Sequence, residues 1–277
     1  MTHPRLSPHR IAADGADLAA WHREGSDPKL WMAMVHGAGV DHREFLPMMD
    51  RIDAAWNIVL FDMRGHGASR LHDGAVATID TVIDDLAVIL TYADQHLRTD
   101  GGTWLLVGHS FGGNVAQELS HLHSDRVHAL VTIGSPGQHR TLRRGELSAM
   151  RFAGHLYRVV PWPLFARFGG SWSSHDPDTR AYVRECLIAT GRTTYLQLGL
   201  SGFESVHAPP PSDLPTLHIR GELDMPQALD AIFDEVVRAN PAAARAIIPA
   251  VGHQPMQDAP DALALELNRF LRGFGSA

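Results

Sequence analysis

Residues 104–113 read Trp-Leu-Leu-Val-Gly-His-Ser-Phe-Gly-Gly, and this stretch decides the fold. Its four leading apolar residues predict a strand buried on both faces, because such a strand lacks the alternation of a half-exposed one. The segment from Gly112 to His123 has apolar residues at helical spacing. Ser110 therefore lies in a tight strand-to-helix turn, where flanking glycines remove the collisions that larger side chains would make. Such a turn holds the hydroxyl above the sheet, near the positive end of the helix.

The rest of the chain alternates between short apolar runs and longer helical stretches, which is typical of a mostly parallel sheet covered by helices. The apolar runs predict strands over Leu30–Val35, Ile58–Phe61, Trp104–Val107, Val127–Ile133, Thr216–Ile219 and Arg245–Ile248. An antiparallel hairpin is expected before them, formed by Arg10–Ala13 and Leu18–His22 over Asp14-Gly15. Helices are predicted over Ile79–His96, Gly112–His123, Gln227–Arg238 and Pro260–Phe274. The expected architecture is α/β, with a sheet of about eight strands flanked by helices.

The alternation breaks between residues 137 and 212, which read as several helices without clear strands and end in three prolines. We therefore expect a core of residues 1–136 and 213–277 with an inserted helical cap at 137–212. The segment is rich in aromatic residues. It is either a small subdomain with its own core or a lid whose inner face lines a substrate pocket, and both can hold together. The expected substrate contacts within it are Trp162, Phe165 and Phe168.

Four further segments, together with the turn at Ser110, resemble the α/β-hydrolase superfamily in the right order along almost the whole chain. The loop at 36–39 (His-Gly-Ala-Gly) is similar to the one that supplies an oxyanion-hole amide in those enzymes. The segment 62–69 resembles the turn after their next strand. The segments 221–224 (Gly-Glu-Leu-Asp) and 252–255 (Gly-His-Gln-Pro) resemble the loops that carry the catalytic acid and the catalytic histidine. The resemblance implies the fold of that superfamily.

The resemblance also implies a catalytic triad of Ser110, Asp224 and His253. A serine hydroxyl is a weak nucleophile and needs a base such as histidine, which titrates near neutral pH. The histidine in turn needs a carboxylate to fix its tautomer and stabilise its protonated form. The oxyanion would be held by the backbone amides of Ala38 and Phe111. The order serine, aspartate, histidine along the chain is that of α/β-hydrolases.

Several neighbouring residues compete for these roles. Glu222 lies two residues before Asp224, and the position in the family pattern favours Asp224. His36 and His109 are expected to hold loops through hydrogen bonds, and His66 and Arg64 to stabilise a turn. The loop that follows the Val127–Ile133 strand carries the acid in some relatives, and here it has no carboxylate.

Composition restricts the partners. The formal net charge of −7 disfavours non-specific binding to nucleic acid or to an anionic membrane. Without an apolar leader or a run of about 20 apolar residues, we expect a cytoplasmic protein that acts away from membranes. With Cys186 as the single cysteine and no His-Glu-x-x-His pattern or phosphate-binding loop, neither a metal nor a cofactor is expected.

The expected reaction is hydrolysis of a small, fairly apolar ester or lactone through an acyl-enzyme on Ser110. One rival is a different reaction on the same triad, as in perhydrolases or haloperoxidases, C–C hydrolases and cofactor-free dioxygenases. The loop at 36–43 resembles that of quinolone-type dioxygenases, but those enzymes usually carry a histidine where Phe111 stands. Dehalogenases and epoxide hydrolases, which need an aspartate at the position of Ser110, are disfavoured. The second rival is a non-catalytic ligand receptor on a hydrolase scaffold.

Overall fold

The computed structural model describes residues 6–98, 101–135, 159–204, 213–224 and 240–274, together with residues 234, 237 and 238. Within these ranges nine strands form one sheet. They are β1 Ser7–Ala13, β2 Ala16–Arg23, β3 Trp31–Val35, β4 Asn57–Phe61, β5 Arg70–Leu71, β6 Trp104–His109, β7 Val127–Ile133, β8 Thr216–Gly221 and β9 Ala243–Ile248. The predicted strands are all present, and the sequence did not indicate the two-residue strand β5.

The α-helices of the described ranges are α1 Ile79–His96, α2 Phe111–Leu122, α3 Trp162–Ser173, α4 Pro177–Thr190, α5 Arg192–Glu204, α6 Pro255–Asp258 and α7 Pro260–Leu271. A 3-10 helix spans His42–Arg51. Helix α1 has the predicted bounds and begins at a Thr78 cap whose hydroxyl accepts from the Thr81 amide. Most of the predicted helix at 227–238 lies outside the described residues. No described helix has both the length and the apolar character needed to cross a membrane.

The sheet order is β1-β2-β4-β3-β6-β7-β8-β9, with β5 paired to β2. The six strands β4, β3, β6, β7, β8 and β9 run parallel to one another. Strand β2 pairs antiparallel with β1, β4 and β5. The predicted α/β architecture is confirmed, with a mixed sheet that is mostly parallel. Because the parallel strands end at one edge, the loops after β3, β6, β8 and β9 are brought together there.

Helices pack on both faces of the central parallel strands, which explains their unbroken apolar runs in the sequence. Strand β6 illustrates this arrangement: Leu106 belongs to the apolar cluster that includes α1 and α2, whereas Leu105 and Val107 belong to the cluster that includes Met48 and α7. All six β6 residues are buried. The strand that leads to Ser110 is therefore fixed from both sides.

Helices α3, α4 and α5, which we call the inserted helices, lie in the chain between β7 and β8. Their described residues contain no strand, as expected for this segment. They form an apolar cluster with members Ala166, Val183, Cys186 and Leu187, and Val40 from the loop after β3 is also a member. The inserted helices are therefore packed directly on that loop. The predicted boundaries at 137 and 212 lie outside the described residues.

Candidate active site

Ser110 occupies the turn between β6 and α2 with φ 50° and ψ −119°, a conformation that is costly for any residue except glycine. Two hydrogen bonds hold it there: its N–H donates to the Ile133 carbonyl at 2.8 Å, and its carbonyl accepts from the Gly113 N–H at 3.0 Å. A Cβ on Gly108 would lie 2.3 Å from the Gly112 carbonyl oxygen. A Cβ on Gly112 would lie 2.2 Å from the Val35 carbonyl oxygen, so backbone contacts require glycine on both sides of the serine.

The imidazole of His253 joins Ser110 to Asp224. Its Nε2 lies 2.9 Å from Ser110 Oγ, and its Nδ1 lies 2.9 Å from Asp224 Oδ2. An ionised carboxylate only accepts, so the His253 Nδ1 carries a hydrogen, and a neutral ring then accepts the Ser110 hydroxyl hydrogen at Nε2. The structure brings together the three side chains proposed from the sequence, although they lie far apart along the chain.

The position of His253 is fixed by a backbone hydrogen bond and by the close approach of Gly134 to its ring. Its N–H donates to the carbonyl of Ser173, at the end of α3, at 2.9 Å. A Cβ on Gly134 would lie 3.1 Å from both Asp224 Oδ2 and His253 Nδ1. Glu222, the competing acid, points elsewhere, because its Oε2 accepts the Ala250 N–H at 2.9 Å. Asp224 is thus the carboxylate in contact with the imidazole.

The loop after β3 lies beside Ser110, since a Cβ on Gly37 would be 3.4 Å from Ser110 Cβ. In the part of the chain that the structure describes, no residue accepts a hydrogen bond from the backbone N–H of Ala38 or of Phe111. The latter N–H is at the first position of α2, where a helix leaves its donors without internal acceptors. Both amides are therefore without a hydrogen-bond acceptor among the described residues.

Two histidines hold this loop. The sequence analysis expected this of His36, whereas it expected His66 to stabilise a turn. His36 Nε2 accepts the Met63 N–H at 2.9 Å, and His66 Nε2 accepts the Gly39 N–H at 3.1 Å. An imidazole nitrogen that accepts carries no proton, so the ring of His66 is neutral. Burial lowers the pKa of His66 to about 3, which keeps it in this form. Both rings thus serve the backbone of the loop.

Residues 26–258 match the family model described as serine aminopeptidase, S33. That match covers most of the chain and includes Ser110, Asp224 and His253. The chain belongs to this family of α/β-hydrolases. The predicted superfamily and hydrolase class are thereby confirmed.

Two characterised relatives illustrate what this α/β-hydrolase is similar to in sequence. It is 24% identical over 268 residues to the pimeloyl-(acyl-carrier protein) methyl ester esterase of Aeromonas salmonicida, covering 91% of this chain and 98% of that protein. It is 26% identical over 106 residues to the 1-acylglycerol-3-phosphate O-acyltransferase of Arabidopsis thaliana, covering 38% of this chain and 25% of that protein.

Solved structures share the fold. An esterase from Thermogutta terrifontis superposes with a TM-score of 0.78 at 21% identity, covering 98% of this chain and 100% of that one. The enol-lactonase from Burkholderia xenovorans gives a TM-score of 0.75 at 18% identity, covering 95% and 100%. At these identities the likeness concerns the fold alone, and the prediction of an α/β-hydrolase fold is confirmed.

The aromatic residues expected to contact substrate in this hydrolase occupy two environments. Trp162 and Phe165 stack at 4.9 Å between ring centroids and pack with Tyr195 in the apolar cluster of the inserted helices. Phe168 is 75% exposed. Among the described contacts, none joins these three side chains to Ser110 or His253. Their role in binding substrate stays a prediction.

Trp172 is the aromatic residue that approaches the triad. Its ring centroid lies 4.9 Å from that of His253, and 54% of its surface is exposed. It directly precedes Ser173, whose carbonyl holds the His253 backbone. The sequence placed Trp172 in an aromatic-rich helix but gave no sign that the end of this helix meets the histidine loop.

Asp41, His42 and Asp62 are close enough together to be considered as metal ligands. Both oxygens of Asp41 already accept hydrogen bonds from the Arg43 guanidinium, at 2.8–3.0 Å. Burial of Asp41 opposes ionisation, but the hydrogen bonds and charge of Arg43 outweigh it and lower the Asp41 pKa to about 2. Asp62 accepts from His42 Nδ1 at 2.8 Å and from the Ala68 N–H at 2.7 Å. Because the Arg43 guanidinium already binds Asp41, a second cation is disfavoured there. We therefore assign these three side chains a structural role.

Proposed function

We propose that the protein hydrolyses a small, fairly apolar carboxylic ester or lactone through an acyl-enzyme on Ser110. The observation that carries this proposal is the unbroken hydrogen-bonded series from Ser110 Oγ through His253 to Asp224. Such a series activates a serine as an acyl acceptor without a metal or cofactor. The esterase named among the relatives supports a carboxylic ester as the substrate class.

In the proposed reaction Ser110 Oγ attacks the ester carbonyl carbon while its proton passes to His253 Nε2. Asp224 stabilises the imidazolium that forms. The N–H groups of Ala38 and Phe111 donate to the negatively charged oxygen, and losing one such donor typically costs about 10²–10³ in rate. His253 then protonates the departing alcohol oxygen. Water repeats the sequence on the acyl-enzyme, releasing the acid and restoring Ser110.

The inserted helices are the proposed cap over this site. Trp172, in these helices, packs against the ring of His253, the group that protonates the departing alcohol in the proposed reaction. We infer that Trp172 contacts the alcohol part of the substrate. An exposed indole beside the imidazole offers a flat apolar surface, which suits an apolar alcohol better than a charged one.

Serine labelling combined with turnover tests the proposal. Wild-type protein is incubated with a fluorophosphonate, and hydrolysis is measured on p-nitrophenyl esters and lactones of graded chain length. We expect labelling and turnover in the wild type and loss of both in Ser110→Ala. Ser120→Ala is the matched control, since Ser120 lies on the same helix and donates to the Ala116 carbonyl away from the site.

The ligand receptor and the dioxygenase each predict a different outcome. Labelling without turnover of any substrate would favour the ligand receptor. Oxygen uptake with a heteroaromatic substrate, in place of ester hydrolysis, would favour the dioxygenase. If Ser110→Ala kept most of the turnover, the acyl-enzyme mechanism would be ruled out.

A further inference from the structure

Glu44 is a buried carboxyl group that the triad does not use. It lies in the first turn of the 3-10 helix and is completely inaccessible to solvent. Its Oε2 is 2.9 Å from His109 Nδ1, and its Oε1 accepts the Gly37 N–H at 3.2 Å. His109 immediately precedes Ser110, and its Nε2 lies 2.9 Å from the carbonyl oxygen of His253. One acid and one imidazole therefore connect three loops of the site.

The hydrogen-bond partners restrict where the protons lie. The His253 carbonyl can only accept, so His109 Nε2 must carry a hydrogen. If the His109 ring is neutral, its Nδ1 accepts, and Glu44 Oε2 must then be protonated and donate. If the ring is charged, Nδ1 donates to a Glu44 carboxylate. The two arrangements have the same geometry and differ in the position of one proton.

Burial selects the neutral arrangement. Desolvation raises the pKa of Glu44 to about 8, against the smaller opposite influences of His36, the Gly37 amide and His253, while Asp41 adds to the rise. Desolvation, reinforced by His253, lowers the pKa of His109 to about 3, although its bond to the His253 carbonyl and the charge of Asp224 oppose this. Buried Tyr182 also faces Glu44. At neutral pH the favoured pair is a carboxylic acid donating to a neutral imidazole.

We propose that Glu44 is a positioning residue that, as a protonated acid paired with His109, holds the loop of Gly37 in register with the loop of His253. This inference rests on the proposed function, because the two loops matter as the sources of the oxyanion donor and of the base. The Gly37 N–H adjoins the peptide unit of Ala38, so a shift of Glu44 moves the Ala38 donor. The His253 carbonyl belongs to the base itself, so the same shift displaces the imidazole.

Deprotonation of Glu44 breaks this connection. A carboxylate facing the lone pair of His109 Nδ1 repels it, and the ring relieves the repulsion by moving its hydrogen from Nε2 to Nδ1. The bond from His109 to the His253 carbonyl is then lost. The mechanism implies a fall in kcat above about pH 8, the pKa of the acid.

Two substitutions of similar size test the proposal. In Glu44→Gln the amide N–H donates to His109 Nδ1 and the amide oxygen accepts from Gly37, which reproduces the neutral acid at every pH. In Glu44→Leu both bonds are absent. We expect Glu44→Gln to keep kcat within about threefold and to lose the alkaline decline of the wild type. Glu44→Leu should lower kcat by about tenfold or more with a smaller change in KM, because misplaced reacting groups slow chemistry.

A measurement without turnover covers the case in which Glu44→Leu does not fold. Imidazole nitrogen NMR shifts of the wild type, assigned by comparison with His109→Gln, should show His109 neutral at pH 7 with the hydrogen on Nε2. An imidazolium at residue 109, or an equal loss of kcat in Glu44→Gln and Glu44→Leu, would overturn the protonated acid. Unchanged kcat in folded Glu44→Leu would overturn the positioning role while wild-type turnover still upheld the proposed function.

Discussion

The carbonyl oxygen of Ser173 accepts the backbone N–H of His253 at 2.9 Å. Ser173 ends α3, and His253 lies in the loop after β9, so this single bond ties the inserted helices to the imidazole of the site. It also places the neighbouring Trp172 ring against that imidazole. The end of α3 is thus part of the environment in which the proposed base works.

Trp172→Ala should raise KM for esters with an aromatic alcohol more than it lowers kcat. The indole offers stacking surface at the leaving group, and an aromatic contact is worth about 1 kcal/mol, or roughly fivefold in binding. Initial rates on phenyl and methyl esters of one acid measure the effect. Leu164→Ala is the control, because Leu164 is an exposed apolar side chain of the same helix without a contact to His253 among the described residues. An equal or larger effect from Leu164→Ala would contradict the assignment.

Asp224→Asn should lower kcat by up to about 10⁴, because an amide does not fix the productive tautomer of His253. Single-turnover acylation of p-nitrophenyl acetate gives the rate directly. Glu222→Gln should stay close to the wild type, since its side chain bonds the Ala250 amide. Loss of acylation in Glu222→Gln alone would show that the acid has been misassigned.

Ser110→Gly should increase the free energy of unfolding while abolishing turnover. Ser110 is held at φ 50°, a region that glycine adopts freely and other residues adopt at a cost of about 1–3 kcal/mol. Urea titrations of Ser110→Gly and Ser110→Ala separate backbone strain from loss of the hydroxyl. If both variants have the same stability as the wild type, the turn stores no strain at this position.

Glu44→Gln should become more stable relative to the wild type as pH rises. Burial raises the Glu44 pKa from 4.5 to about 8, so the folded wild type holds this proton more tightly than the unfolded chain. The resulting stabilisation is complete below about pH 4.5 and is lost as pH rises through about pH 8. Unfolding titrations of both proteins at about pH 5 and about pH 9 measure the effect. The stability of Glu44→Gln relative to the wild type should change between these pH values by a few kcal/mol at most, since each pKa unit is worth about 1.4 kcal/mol. A constant difference would contradict the raised pKa.

The sequence predicted the loops of the site because each follows a predicted strand, and parallel strands end at one edge. The sequence predicted that Ser110, Asp224 and His253 meet through its resemblance to α/β-hydrolases, and the structure brings the three side chains within hydrogen-bonding distance. The sequence analysis did not find β5, since two residues carry no alternation. Nor did it find Glu44, whose partners lie 7 and 65 positions away along the chain. A glutamate directly before the apolar run from Phe45 to Met49 was the one available sign of its burial.

Val40 packs among side chains of α3 and α4 while sitting two residues from Ala38, and a Cβ on neighbouring Gly39 would lie 2.4 Å from Leu187. A rigid-body movement of the inserted helices would therefore displace the Ala38 peptide, the proposed donor to the ester carbonyl. Substrate entry by such a movement would disrupt the proposed oxyanion site and require it to re-form at every turnover. Substrate entry through a narrower, local opening would leave the site intact. The width of that opening would then limit the size of the acyl and alcohol groups that can enter.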